Sequence, residues 1–221
     1  MAKTTLTPLK TMPLFPLIRF LSRLFLPLLL RLPLSPNQIT ALSLFSGLGA
    51  AWFFATSVNG EYLLPSLLLI FCYLLDNCDG DVARARNQTS RFGEYFDTAT
   101  DWIVHSLFFL ALGHGLQERS GEAIWFWLGC VAAMGSTINY AISLFWKDAP
   151  QPAHAPAEIK PEGWKEALIY FFRELSRADF CFIVLGLALV DATWILLPLS
   201  AIGAQVYWLI GFLPRARTFH V

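Results

Sequence analysis

Four aspartates with helical spacing are the residues whose types and positions could do chemistry. Asp76 and Asp79 are three residues apart, and Asp97 and Asp101 are four apart, so each pair lies on one face of a helix. Both pairs follow or interrupt apolar segments, and a charged aspartate at the centre of a membrane-spanning helix costs about 2.5–3.5 kcal/mol. The clustered carboxylates also repel one another, so a cation is needed to compensate them. Carboxylate oxygens suit Mg²⁺, Mn²⁺ or Ca²⁺, and the pattern predicts a divalent metal site.

Small residues and an arginine accompany the acidic pairs. Gly80 and Ala83 continue the face of the first pair with almost no side chain, and Arg84 follows one turn later. Gly93 lies four residues before Asp97, on the same helical face as the second pair. This arrangement leaves room for a bulky ligand beside the ions, and Arg84 can pair with a phosphate. The alternative is a buried charge network that only fixes the packing of two helices.

The composition of the chain indicates a membrane protein. Of its 221 residues, 56% are hydrophobic and only 14% are charged, whereas about 25% is usual in a soluble domain. So few charges leave little polar surface to keep the protein in water. The net charge is zero and there is no basic tail, so no nucleic-acid partner is expected. The four cysteines form no C-x-x-C pair and are interpreted as small hydrophobic residues.

Apolar segments predict an all-α bundle of six transmembrane helices. A spanning helix needs about 20 mostly apolar residues. The segment before Asp191 has too short an uncharged stretch, so its helix is expected to begin near Leu168 and to carry charged residues at its inner end, namely Arg173, Glu174, Arg177 and Asp179. The six predicted segments are residues 39–58, 62–75 with the polar cluster that follows, 92–112, 123–146, about 168–191 and 193–213.

The basic residues orient these helices. Every Lys and Arg except Arg119 falls before the first predicted helix, between the second and third, between the fourth and the body of the fifth, or after the sixth. Cytoplasmic loops carry an excess of Lys and Arg. Both termini and the acidic cluster are therefore expected on the cytoplasmic side, which in a bacterium is the inner face of the plasma membrane.

Residues 1–35 are predicted to form an N-terminal interfacial segment, and residues 36–221 the membrane domain. Arg19, Arg23 and Arg31 interrupt the apolar stretches of the first segment, and no small-residue cleavage site follows, which argues against a signal peptide. Arg19 and Arg23 share a helical face, so we expect an amphipathic helix lying on the membrane surface. A flexible arm is the alternative.

The acidic segment resembles the signature of the CDP-alcohol phosphotransferase family, D-x2-D-G-x2-A-R-x8-G-x3-D-x3-D. The fixed positions are filled without an insertion by Asp76, Asp79, Gly80, Ala83, Arg84, Gly93, Asp97 and Asp101. Residues 36–40, Pro-Asn-Gln-Ile-Thr, also resemble the Pro-Asn-x-x-Thr element of that family. The six-helix bundle and surface helix of the family agree with the predicted architecture.

The resemblance implies transfer of a substituted phosphate from a CDP-alcohol to an acceptor hydroxyl, with release of CMP, in phospholipid biosynthesis. It implies that the four aspartates hold one or two Mg²⁺ or Mn²⁺ ions and that Asp101 also acts as the general base. It also implies a homodimer among membrane lipids. The residues that would line the CDP site are Asn37, Thr40, Gly80, Ala83, Arg84 and Ser90.

The identities of the donor and the acceptor stay open. CDP-diacylglycerol is the favoured donor, and the alternative is a soluble CDP-alcohol with a diacylglycerol acceptor. A metal-ion transporter is a different class, but transporters tend to place ion sites at the bilayer midplane between repeated halves. Here the acids lie at the predicted cytoplasmic end, and the sequence contains no visible repeat.

Three further residues have two interpretations each. His105 lies on the same helical face as Asp101, so it either orients that carboxylate or simply joins two helices. Arg173 and Arg177 either bind a phosphate of the acceptor or flank a helix with charge.

Overall fold

The computed structural model describes residues 16–57, 60–145 and 179–217, and within these ranges the chain is helical and contains no strand. A 3-10 turn, Thr193–Ile195, precedes the last helix. The helices are α1 (Leu17–Leu29), α2 (Pro36–Thr56), α3 (Leu63–Arg86), α4 (Arg91–Ser120), α5 (Ile124–Phe145), α6 (Phe180–Leu189) and α7 (Leu196–Arg217).

The first four predicted membrane segments correspond to α2, α3, α4 and α5. The second continues without a break through the acidic segment to Arg86. It ends there because Asn87 adopts a left-handed conformation, with φ 54°, and the next N–H turns back to the carbonyl of Ala83 at 2.8 Å. By length and composition, α2 and α3 are each apolar enough to cross a membrane.

The fifth predicted helix is wrong at Asp179. Its expected first part, with Arg173 and Arg177, lies outside the described residues. Asp179 itself is not helical but is the N-cap residue of α6. Its carboxylate accepts hydrogen bonds from two backbone N–H groups of α1, so it faces the N-terminal helix instead of continuing the fifth one.

The core lies between α2, α3 and α4, with α5 packed on α4 and α7 on α5. Phe54 of α2 meets the edge of Phe108 of α4 with ring centroids 5.1 Å apart, and both are buried. Helices approach most closely at glycines, as is usual where membrane helices pack. A Cβ on Gly115 would clash with the backbone carbonyl of Phe54, and one on Gly129 would lie 2.5 Å from that of Phe109.

Gly115→Ala is expected to lower the unfolding temperature by several degrees. The new methyl group meets backbone rather than a flexible side chain, and overpacking of this kind costs roughly 1–3 kcal/mol. Thermal unfolding of the purified protein in detergent measures the effect. The matched control is Gly186→Ala, where nothing lies within 4 Å of the new Cβ. Equal stability of the two variants would contradict this account of the α2–α4 contact.

An ion pair joins the ends of α4 and α6 at the end of α4 that lies farthest from its aspartates. Arg119 donates to both carboxylate oxygens of Asp191 at 2.8 Å. These hydrogen bonds lower the pKa of the Asp191 carboxyl. Asp191 adopts a left-handed backbone conformation, with φ 53°. Gly60 lies so close to the Arg119 guanidinium that an added Cβ would clash with it. Arg119 is the one basic residue predicted on the side of the membrane opposite the others, and in the structure it pairs with the carboxylate of Asp191.

Candidate active site

A four-residue connection joins α3 to α4, and α2 packs against both helices, which brings their aspartates together. Asn87 ends α3, and the Ser90 side chain caps α4 by accepting from the N–H of Gly93 at 3.0 Å. Caps on both sides leave the connection little freedom. The aspartates of one helix therefore stay opposite those of the other, as the helical spacing predicts.

Three of the four predicted metal ligands come together. Asp76, Asp79 and Asp97 each offer a carboxylate oxygen, and these oxygens lie within 4.8 Å of one another. Asp101 is not part of this group, although it is close enough for its charge to act on Asp76. Its side chain is exposed one helical turn beyond Asp97.

The chemistry of this cluster fits a divalent cation. Asp79 is buried, and Oδ1 of Asp76 is buried without a hydrogen-bond partner. A buried carboxylate oxygen without a partner is costly, and a cation among the three carboxylates would satisfy it. Oxygen-only ligands suit a hard ion such as Mg²⁺, Mn²⁺ or Ca²⁺.

Two residues near the start of α2, Asn37 and Thr40, lie beside the aspartate cluster. The buried Thr40 hydroxyl donates to Oδ2 of Asp79, across two helices. Asn37 lies close to α4, because a Cβ on Gly93 would be 3.2 Å from its Oδ1. Glycine at position 93 therefore keeps the space between α2 and α4 open.

An open pocket of about 170 Å³ adjoins the cluster. It contains all six residues predicted to contact the nucleotide, together with Asp79, Asp97 and Gly93. Four further lining residues were not assigned to the site from the sequence, although one of them, Pro36, belongs to the Pro-Asn-x-x-Thr element. They are Pro36, Gln88, Thr89 and Glu94.

Arg84 has a partner that the sequence analysis did not assign. Its guanidinium donates to Asp81 at 2.6 Å, three residues earlier on the same helix. The Arg84 side chain is 67% exposed, and exposed pairs of this kind are weak. A phosphate in the pocket could therefore replace Asp81 as the partner of Arg84. The three-residue spacing is the signal that could have identified this pair.

His105 joins α4 to α3 and hydrogen-bonds the backbone of Asp101. Its Nδ1 lies 2.8 Å from the backbone carbonyl of Asp101, which can only accept, so Nδ1 carries the hydrogen. Nε2 is 2.7 Å from the hydroxyl of Tyr73 on α3. Both ring nitrogens thus have partners, which favours the interhelix interpretation.

The chain matches the family model "CDP-alcohol phosphatidyltransferase" over residues 33–206. This match covers most of the chain, and the protein belongs to that family, whose members are transferases of phosphate-containing groups and use divalent metal ions.

Individual relatives match over shorter stretches. A bifunctional IPC transferase and DIPP synthase of Thermococcus kodakarensis is 30% identical over 112 residues, which is 50% of this chain and 24% of that protein. A CDP-diacylglycerol–serine O-phosphatidyltransferase of Helicobacter pylori is 40% identical over 71 residues, 32% of this chain and 29% of that protein. The chain thus spans about a quarter of the length of the first curated relatives it matches.

The fold resembles that of Mycobacterium tuberculosis phosphatidylinositol phosphate synthase, solved with CDP-DAG bound. The TM-score is 0.53 at 20% sequence identity, and the match covers 86% of this chain and 90% of that one. At this identity the likeness establishes the fold alone.

Proposed function

We propose that this protein transfers a phosphatidyl group from CDP-diacylglycerol to an acceptor hydroxyl and releases CMP. The observation that carries the proposal is the aspartate cluster opening onto a pocket lined by every residue predicted to contact the nucleotide. CDP-diacylglycerol is favoured as donor because one relative is named for its use and the solved structure with this fold holds CDP-DAG.

Each side chain has a proposed task in this reaction. Asp76, Asp79 and Asp97 would hold one or two Mg²⁺ or Mn²⁺ ions, with Asp101 adjoining them. A divalent ion there would neutralise charge on the diphosphate. Thr40 would fix the orientation of Asp79 through its hydrogen bond.

The bond changes can be assigned to atoms. The acceptor oxygen forms a bond to the phosphorus farther from cytidine, and the bond from that phosphorus to the oxygen of CMP breaks. The proton of the acceptor hydroxyl passes to Asp101, the exposed carboxylate beside the cluster. Arg84 would bind a donor phosphate in place of Asp81.

Product analysis tests the proposed reaction. Purified protein with Mg²⁺ is offered CDP-diacylglycerol and a panel of polar alcohols that includes glycerol 3-phosphate, inositol phosphate and serine. We expect CMP and one new phospholipid by mass spectrometry, and neither from an Asp97→Asn control. Turnover only with a soluble CDP-alcohol and diacylglycerol would contradict the proposed donor. CMP from neither mixture would contradict the proposed function.

The proposal includes six spans, an N-terminal helix on the membrane surface, and a homodimer. Single cysteines introduced within residues 147–165 and residues 117–121 are expected to be labelled from opposite sides of sealed vesicles. The first segment follows an even number of predicted spans from the cytoplasmic N-terminus, and the second follows an odd number. The unmodified chain controls for background labelling, because its Cys72, Cys78 and Cys181 are buried but its Cys130 is partly exposed. Labelling of both segments from one side would contradict the six-helix topology.

A further inference from the structure

An aspartate from the C-terminal half of the chain binds the first turn of α1. Asp179 is fully buried, and its carboxylate accepts from the N–H groups of Leu17 at 2.8 Å and Ile18 at 2.9 Å. Pro16, which precedes α1, provides no side-chain cap. The first N–H groups of a helix have no partners within the helix and lie at its positive end. Asp179 therefore supplies both the missing acceptor and the complementary charge.

Arg86, the last residue of α3, binds the other end of the same helix. One guanidinium nitrogen donates to the carbonyl of Leu34. The other lies 3.3, 3.2 and 2.8 Å from the carbonyls of Leu29, Leu30 and Leu32. The final carbonyls of a helix lack partners and lie at its negative end, where Arg86 supplies donors and a positive charge.

The segment that Arg86 holds leads directly into the pocket. Residues 30–35 connect α1 to α2, and the Ser35 side chain caps α2 in a reciprocal pair with Gln38. The next two residues, Pro36 and Asn37, line the pocket. Because the connection is short and bonded at both ends, a shift of its carbonyls would move the pocket wall formed by α2.

We propose that Arg86 is a positioning residue for the donor pocket. By fixing the connection between α1 and α2, it keeps Asn37 at its place opposite Gly93. Asp179 holds the first turn of α1 in place through two hydrogen bonds. A fixed first turn limits movements of α1 that would otherwise shift the connection to α2. Arg86 fills no fixed position of the family signature and does not line the pocket, so its effect does not need contact with the substrate. The inference rests on the proposed function, because it takes the pocket to bind the donor nucleotide.

Steady-state kinetics of Arg86→Ala test the proposal. We expect the KM for CDP-diacylglycerol to rise about tenfold or more, since several charge-assisted hydrogen bonds to the connection are lost, while kcat stays within about twofold. Arg86→Lys should recover part of the loss, because it keeps a cation near the carbonyls. The control is Arg91→Ala, which also removes one positive charge, from an exposed side chain at the start of α4, and should leave KM unchanged.

Hydrogen–deuterium exchange of the full chain in detergent micelles gives a readout without turnover. Arg86→Ala should increase exchange within residues 30–38, Asp179→Asn within residues 17–20, and Arg91→Ala in neither range. An unchanged KM in Arg86→Ala would overturn the inference, whether kcat is normal or reduced. If Arg86→Ala does not fold, Arg86→Lys is compared with Arg91→Lys by the same criteria. Absence of CMP release by the wild type would instead contradict the proposed function, and exchange would still test the anchoring of α1.

Discussion

Removal of divalent cations is expected to abolish CMP release, and Mg²⁺ or Mn²⁺ should restore it. Asp76, Asp79 and Asp97 place carboxylate oxygens within 4.8 Å of one another. Without a cation these charges repel one another and would also repel the diphosphate of the donor. CMP release measured in EDTA, and again after titration with each metal, checks the prediction. Full activity in excess EDTA would contradict a metal site.

Two variants separate the metal site from the nucleotide site. Asp76→Asn should weaken the binding of metal and CDP-alcohol together, because its carboxylate belongs to the cluster. Arg84→Ala should weaken the binding of CDP-alcohol alone, because a guanidinium offers only donors and cannot bind a cation. Calorimetric titration of each variant with Mg²⁺ and then with CDP distinguishes the two effects. Loss of Mg²⁺ binding in Arg84→Ala would show that the assignment is wrong.

Asp101→Asn is expected to reduce kcat by roughly 10²-fold or more, the range for loss of a general base. Asparagine keeps the shape of the side chain but cannot accept the proton at neutral pH. Asp101 lies outside the cluster of three carboxylates, so binding of CDP-alcohol should survive. Single-turnover rates measured beside a binding curve check both parts.

The two aspartate variants control for each other. Asp76→Asn removes the same charge from the same region, yet it should change binding, whereas Asp101→Asn should change turnover. Near wild-type turnover by Asp101→Asn would exclude Asp101 as the base, and another group, such as the phosphate itself, would have to take the proton.

The sequence predicts that Asp76, Asp79 and Asp97 lie together because these residues are close to one another in the chain. Helical spacing alone places Asp76 with Asp79 and Asp97 with Asp101, and the short connection between α3 and α4 lets Asp97 reach the first pair. The same reasoning predicted four helices now observed as α2 to α5. The pocket beside the aspartates is also predictable, because the small residues Gly80, Ala83 and Gly93 on the same helical faces leave space there.

Contacts between distant parts of the chain could not be predicted in this way. Asp179 was counted as a charge within a helix, but its carboxylate binds the backbone of α1, more than 160 residues earlier. Arg119 was assigned only to the side of the membrane opposite the other basic residues, and its partner Asp191 lies 72 residues further along the chain. Neither pairing follows from periodicity, because the partners are brought together only when the helices pack.

Every residue that lines the pocket lies between Pro36 and Asp97, and this has a consequence for the order of assembly during synthesis. Contacts between near neighbours in sequence form at low entropic cost, so the pocket can form before α5, α6 and α7 have left the ribosome. Arg86 is available at that stage to bind the end of α1, whereas Asp179 is made much later. The growing chain can therefore form this pocket before the second anchor of α1 has been synthesised.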